Sequence, residues 1–386
     1  MLSAVPKATG LGFRASLSAV ILSGALLALP RAALAEDSRT FVVGWFSQAT
    51  NNTADDCGPG GPNPTVEEQY IENLQNLGIS GEEIEALIKE RDGGDDNAGR
   101  MREILRTRGR INGEPVNPYM YPTAVKDPDL KSLTGNFAFG FDLDNKGPDQ
   151  PGSFTHFDTK QKGIDHNLYR ALGCMLSFRG SIDGRPTYWD WIWGQLKDSQ
   201  PAWIVTITGD DLAKDGEVTV TFDRALEYLQ SNIDGGPRAD VTYRIDPDPR
   251  SHNVVKGRME NGIISASLSG LFRMYSNPLG VPEFRLQDAK FDLKMRRDGT
   301  VDGFIGGYQP WGDLYFAFAG GGQTAENCFV GDIPGLYYLL RKNADAYPDP
   351  TTGVNTAISA AYYLEAIPAF VVPSSEVRYD SIAGNN

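Results

Sequence analysis

Five aspartates fall within one glycine- and proline-rich run, 141-FDLDNKGPDQPGSFTHFDTKQKGIDHN-167: Asp142, Asp144, Asp149, Asp158 and Asp165. Carboxylates at that density suit a hard cation, calcium above all, which takes six to eight oxygen ligands. Asp142, Asp144 and Gly147 follow the opening of a calcium-binding loop. The pattern then breaks, because Lys146 stands where a third ligand would and Ser153 where the closing glutamate would. Lys146, Lys160 and Lys162 offset the five aspartates and leave a local charge of −2. An EF-hand is excluded; a looser calcium site is not. The competing duty is structural. Aspartates after the apolar strand 137-FAFGF-141 start turns by bonding their own backbone, and Asp165, ahead of a helical pattern, is placed as an N-cap.

Little else speaks of chemistry. His156, His166 and His252 have no partner at metal-ligand spacing, which argues against zinc and for histidines at the surface or near helix caps. Tyr188, Trp189, Trp191 and Trp193 crowd six positions. On a strand the tryptophans would line one face, where they could stack on sugar rings. On a helix, the reading preferred here, Trp189 and Trp193 share a buried face. The stretch 307-GYQPWGDLYF-316 has the same two readings. The run 320-GGGQTAE-326 lacks the Lys-Ser/Thr ending of a P-loop and reads as a sharp turn. No G-x-S-x-G, H-E-x-x-H or C-x-x-C occurs, which removes common esterase, zincin and thiol-redox chemistries. A glycosidase working through two carboxylates leaves no local motif, because its acids meet only in the fold.

The elements that must position these residues change character along the chain. The stretch 40-TFVVGWFS-47 predicts a strand. Helices follow at 65–78, at 81–93 behind a Ser80/Glu83 capping box, and at 100–109. Alternating Val, Thr, Ile, Phe and Tyr over 203–209, 217–223, 239–246, 263–275 and 288–308 predict strands, with turn clusters between them. Phe291, Leu293 and Met295 face one way and Asp292, Lys294 and Arg296 the other, as in a strand with one wet face. Helices are expected at 165–176, at 187–198 from a Thr187/Asp190 start, and at 333–346 behind Asp332, before a returning strand at 357–372. With no βαβ rhythm, the fold expected is β-rich α+β: an antiparallel sandwich or jelly-roll-like core over roughly 200–320, with flanking helices.

The ends and the cysteines set the compartment. Residues 1–35 read as a signal peptide: Lys7 and Arg14, the apolar run 17-LSAVILSGALLAL-29, then Ala33-Leu34-Ala35. The apolar run is too short to span a bilayer, which takes about 20 residues. The organisation expected is a signal peptide at 1–35, an N-terminal strand, loop and short helices at 36–135, a β-rich main domain at 136–372 and a polar tail at 373–386. The first 35 residues hold three basic and no acidic residues, so the chain's 36 basic and 50 acidic residues leave −17 after cleavage. That charge opposes nucleic acid and anionic membrane surfaces as partners. Cys57, Cys174 and Cys328 permit one bridge in an oxidising compartment, with three pairings open.

Six blocks together, FDLDNKG (141–147), GIDHNLYRALGC (163–174), TYRIDPDPR (242–250), RRDGTVDGFIGGYQPW (296–311), NADAYPDPTTG (343–353) and AISAAYYLEAIPAFV (357–371), resemble exported bacterial proteins, mostly proteobacterial, of uncharacterised function. The resemblance implies an envelope protein and brings no catalytic residue with it. The sequence therefore points to a periplasmic or extracellular module, binding or structural rather than catalytic, stabilised by calcium and meeting a glycan or an envelope protein. The alternative is a secreted hydrolase using carboxylates on a glycan.

Overall fold

A computed structural model describes residues 36–53, 55–92, 97–180, 185–275, 283–322, 325–326 and 331–372, the side chains of 90–92, 97–99, 102 and 149 excepted. The expected signal peptide, the polar tail and Cys328 lie outside the described residues.

Eight strands form the body: β1 (Asp37–Gln48), β2 (Pro201–Gly209), β3 (Gly216–Tyr228), β4 (Asn253–Glu260), β5 (Ile263–Ser267), β6 (Glu283–Met295), β7 (Val301–Pro310) and β8 (Asn355–Val372). Each pairs antiparallel with the next, and β1 returns to β8 from Thr40 opposite Ala369 to Gln48 opposite Tyr362. The sheet is thus a closed barrel, not the sandwich or jelly roll expected from the alternation. Alternation tells which face of a strand is dry; it does not tell whether the two edges of a sheet meet. Here the N-terminal strand and the last one, lying outside the expected 200–320 core, supply the closure.

Two further expectations are corrected. The stretch 263–275 is broken at 268–270, where Gly270 takes φ +108°, and β5 and Leu271–Tyr275 both pair with β6. The stretch 239–246 yields only Val241–Arg244, which lies off the barrel path and runs parallel to the end of β8.

An eight-stranded barrel is just wide enough for side chains to fill its interior. Phe46 of β1 stacks on Tyr362 of β8 at 5.2 Å and meets Trp203 and Phe284 edge-on, while Phe222, Phe272 and Phe291 pack on one another further along. Many outward positions are polar: Thr40 faces Thr206 at 3.3 Å, and Lys256, Arg258, Asp292 and Lys294 are exposed, with single apolar residues such as Val254 and Phe370 between them. A membrane-spanning barrel has the opposite pattern, an apolar band outside and a polar lumen. Among the described residues no helix is long and apolar enough to cross a membrane.

The helices are α1 (Val66–Asn76), α2 (Gly81–Asp92), α3 (Asn97–Arg106), α4 (Asn167–Leu172), α5 (Thr187–Leu196), α6 (Trp311–Ala319) and α7 (Ile333–Asn343). The last four share one continuous core with the barrel, and Trp189 of α5 meets Tyr362 edge-on. Trp189 and Trp193 are buried and Trp191 is exposed, as helical spacing requires. No Thr187 cap forms: the N-cap is Pro186, without a side-chain bond. Asp332 does cap α7, its Oδ2 accepting from the Gly335 N–H at 2.8 Å. The stretch 307–316 resolves into the end of β7 and the start of α6. Helices α1–α3 have a small core of their own around Tyr70, Leu74, Leu87 and Leu105. Cys57 and Cys174 are joined by a disulfide. The described residues form one compact unit.

Candidate functional site

The aspartate-rich run is displayed on the outer wall of the barrel. Three short strands carry it: Phe137–Ala138, Phe154–His156 and Lys162–Ile164. They are anchored by Phe139, which stacks on the outward-facing Phe304 of β7 at 5.0 Å, with Phe157 against Phe139 at 5.1 Å. Beside this anchor Phe141 lies flat on β7 over Gly306, where a Cβ would stand 2.3 Å from the Phe141 ring. Gly163, at φ +84°, lets the run fold back on itself, since a Cβ there would stand 2.4 Å from the Gly147 backbone. Glycines inside a strand pattern mark a close approach of this kind, so the Gly306–Gly307 pair was the one local hint of a docking point. Gly306→Ala is expected to lift Phe141 off the wall at a cost of about 1–3 kcal/mol, read as a fall in Tm, with loss of any cation response of the protein. An unchanged Tm would show that Phe141 does not dock there.

Asp165 organises the loop. Its N–H donates to the Phe141 carbonyl at 2.8 Å, and its Oδ2 accepts from the N–H groups of Leu143 at 2.8 Å and Asp144 at 3.3 Å. It is therefore not the helix N-cap expected. His166 holds that position, without a side-chain cap, because Asp165 is already engaged with the loop. Asp165 is 6% exposed, and burial first, then Asp144 and Asp345, push its carboxyl up to about 6.

Carboxylate oxygens of Asp142, Asp144 and Asp165 lie within 4.8 Å of one another. Burial pushes the Asp144 carboxyl up, but hydrogen bonds from Lys146 outweigh it and hold the group below its ordinary value; the ion pair spans 2.9 Å. Oδ1 of Asp142 is buried and has no hydrogen-bond partner among the described residues. The ammonium of Lys290 on β6 donates to the Asp142 carbonyl and to Asn145 Oδ1. A fourth acid, Asp345, accepts from the Ser359 N–H at 2.7 Å and its hydroxyl at 2.6 Å; burial raises its carboxyl. Asp158 stands outside this cluster. The side chain of Asp149 lies outside the described residues. The fold thus joins three of the five expected aspartates and adds Asp345 and Lys290, which lie far along the chain and gave no local signal.

The histidines meet expectation in part: His166 sits at the N-cap of α4 and His252 on the surface, while His156 is buried. His166 is wholly buried: Nε2 donates to the Ala49 carbonyl at 2.9 Å, Nδ1 accepts from the Ala361 N–H at 3.2 Å, and burial lowers its pKa to about 4. It fastens the end of β1 to β8, a role set by packing that no local pattern announces. His156 is buried as well, its Nδ1 accepting from the N–H groups of Asp158 and Thr159, with burial lowering its pKa. Only His252 is on the surface, 2.7 Å from Asp223 Oδ1. Both ring nitrogens of His166 and Nδ1 of His156 are spent on the backbone, so the site offers oxygen ligands.

A second group of titratable residues lies where the helical segment meets the body. Arg108 bonds Glu326 at 2.9 Å and also Asp332, and the hydroxyls of Tyr70 and Tyr119 donate to Glu326 Oε2. Arg108, Glu326 and Asp332 are all buried. Burial, opposed by Arg108, pushes the Glu326 carboxyl up to about 7. Of these residues only Asp332 was expected, as the cap of α7, and nothing local brings Arg108 and Glu326 to it.

No protein-family profile, curated protein or solved structure matches the chain.

Proposed function

We propose that this chain is an exported, non-catalytic binding or structural module of the bacterial envelope whose outer-wall loop holds a calcium ion between Asp142, Asp144 and Asp165. One observation carries the reading: three carboxylates converge from two segments, with a buried oxygen of Asp142 unpaired, and Asp165 is kept reluctant to ionise. Three acids against Lys146 and Lys290 leave a net negative charge that a cation would offset. An all-oxygen donor set on an irregular loop suits calcium better than zinc, which wants nitrogen or sulfur, or magnesium, which wants strict octahedral geometry. Lys146 is exposed and free to swing away from Asp144. Asp345, already bonded by Ser359, would brace the ligands from behind. The signal-like N-terminus and the Cys57–Cys174 disulfide both favour an oxidising compartment. The likeness to exported proteobacterial proteins agrees with it.

The hydrolase alternative is weaker. Asp165 is spent on two backbone N–H groups and Asp144 on Lys146, which leaves no second free carboxyl beside Asp142 to form the pair that glycoside hydrolysis uses.

Thermal melts test the reading. Calcium at about 100 times its dissociation constant stabilises by about 2.7 kcal/mol, which for a chain of this size raises Tm by about 3–5 °C over the EDTA-treated protein. No shift, and no heat on titrating calcium, would sink it. The pH dependence follows from Asp165. Below about pH 6 its carboxyl holds a proton that calcium must displace, so the calcium-induced rise shrinks between pH 7 and pH 5 and grows as pH rises through 6.

A further inference from the structure

We infer that the outer-wall groove beside the acid cluster binds the end of a neutral glycan chain, one sugar ring seated in a cleft under Phe304 and the rest lying along β4–β6. This deepens the reading of the chain as a binding module and rests on it.

The cleft has a volume of about 250 Å³ and is lined by Asp142, Asn145, Gln161, Lys290, Asp292 and Phe304, among others. Its volume equals that of about eight waters, which suits one sugar ring and falls short of the roughly 300–1,000 Å³ of drug-sized pockets. A second, more open groove of about 480 Å³ shares Phe141, Lys290 and Asp292 with it and continues past Ser265, Ser267 and Lys256. The two form one continuous track along the wall. Phe304 is fixed in place by Phe139, stacked on one face at 5.0 Å, and by His156, perpendicular to it at 6.2 Å.

The polar groups around the ring alternate in kind. Asp142 and Asp292 accept; Lys290 donates; Asn145 and Gln161 do both. His156, with Nδ1 accepting from two backbone N–H groups, carries its proton on Nε2 and adds a neutral donor. The Asp292 carboxylate has no hydrogen bond or ion pair among the described residues. Its tip is open to water, yet partial desolvation raises its carboxyl. Hydroxyl groups, each both donor and acceptor, satisfy such a lining. Phosphate or sulfate in the cleft would face Asp142 and Asp292 against Lys290 alone; along the open groove Lys256 donates to Thr219 and Arg258 is tied to Glu217 and Glu260. A cationic ligand would meet Lys290. An extended peptide needs a free strand edge for backbone pairing, and β4, β5 and β6 are each paired on both sides.

Saturation-transfer NMR and calorimetry on the full exported chain test this, with glucose, galactose, mannose, N-acetylglucosamine and their β1,4- or α1,4-linked tetrasaccharides, each in calcium and in EDTA. At least one sugar should bind, its tetrasaccharide about tenfold or more tighter. Asp292→Asn and Gln161→Ala, both exposed side chains that leave the fold intact by their unchanged melts, should each weaken binding about tenfold, the size of one lost hydrogen bond of about 1.4 kcal/mol. No binding by any sugar of the panel, or binding untouched by both substitutions, overturns the proposal. So does tighter binding of inorganic phosphate, spermidine or an unstructured peptide at the same residues. Sugar binding in EDTA without any calcium heat would leave this groove standing and remove the calcium site; calcium heat without sugar binding would do the reverse.

Discussion

Replacing Arg108 with methionine is expected to destabilise the protein by about 3–5 kcal/mol, the usual cost of stripping one partner from a buried ion pair. Arg108 is the cation between Glu326 and Asp332, and all three are closed off from water. Its Nε and Nη1 already lack hydrogen-bond partners among the described residues. Methionine relieves those two unmet donors, which places the loss toward the lower end of that range. The sign with pH follows from Glu326, whose carboxyl stands at about 7 in the fold against an ordinary value of 4.5. The folded state keeps a proton that the unfolded chain releases between those values, so this group's contribution is full below pH 4.5 and lost as pH rises through 7. In Arg108→Met the Glu326 carboxyl takes up a proton more readily, so the loss is larger at pH 8 than at pH 5, and Glu326→Gln added to it recovers part of the loss at pH 8. Denaturant melts at the two pH values check this. A loss of under about 1 kcal/mol at pH 8, as at an exposed pair, would show that water reaches the cluster.

The second large effect is expected from the disulfide. Cys57 and Cys174 are 117 residues apart, and closing a loop of that length restrains the unfolded chain by up to about 5 kcal/mol, with 2–5 kcal/mol the usual measured loss. Cys57→Ser with Cys174→Ser should therefore cost about 2–5 kcal/mol in a denaturant melt. The bridge lies in a small core with Leu133, Ala138, Phe154, Ile164 and Tyr169, directly beneath the strands that display the acid loop. Losing it should therefore also blunt the calcium response, which a change in the barrel alone would not do. Reduction of the wild-type protein under native conditions gives the same comparison without mutation. Equal melts for oxidised and reduced protein would remove the disulfide from the account.

Much of the chain was legible one element at a time. The alternation of Phe291 and Leu293 against Asp292 and Lys294 gave β6 its dry and wet faces. Asp332 ahead of Ile333-Pro334 gave α7 its start, and the spacing of Trp189 and Trp193 gave α5 its buried stripe. Each of these signals acts within a few residues, through a hydrogen bond to the next turn or the period of a single strand. The aspartate run was likewise visible as acids, but not which of them meet.

Which partners meet was decided only in three dimensions. The pairing of Thr40–Gln48 with Tyr362–Ala369 turns a sheet into a barrel across more than three hundred residues, and nothing near either strand encodes it. His166 is a core histidine because Ala49 and Ala361 come to it from β1 and β8. Asp165 leaves the helix end it precedes because the turn at 142–144 presents two N–H groups to it. Asp345, Lys290 and Phe304 become neighbours of the acid loop because Gly306 lets Phe141 lie flat on the barrel wall. The amino-acid sequence set charge, periodicity and caps, which depend on short-range contact. Closure, cysteine pairing and the site depend on which distant surfaces exclude water together, and that is a property of the folded chain as a whole.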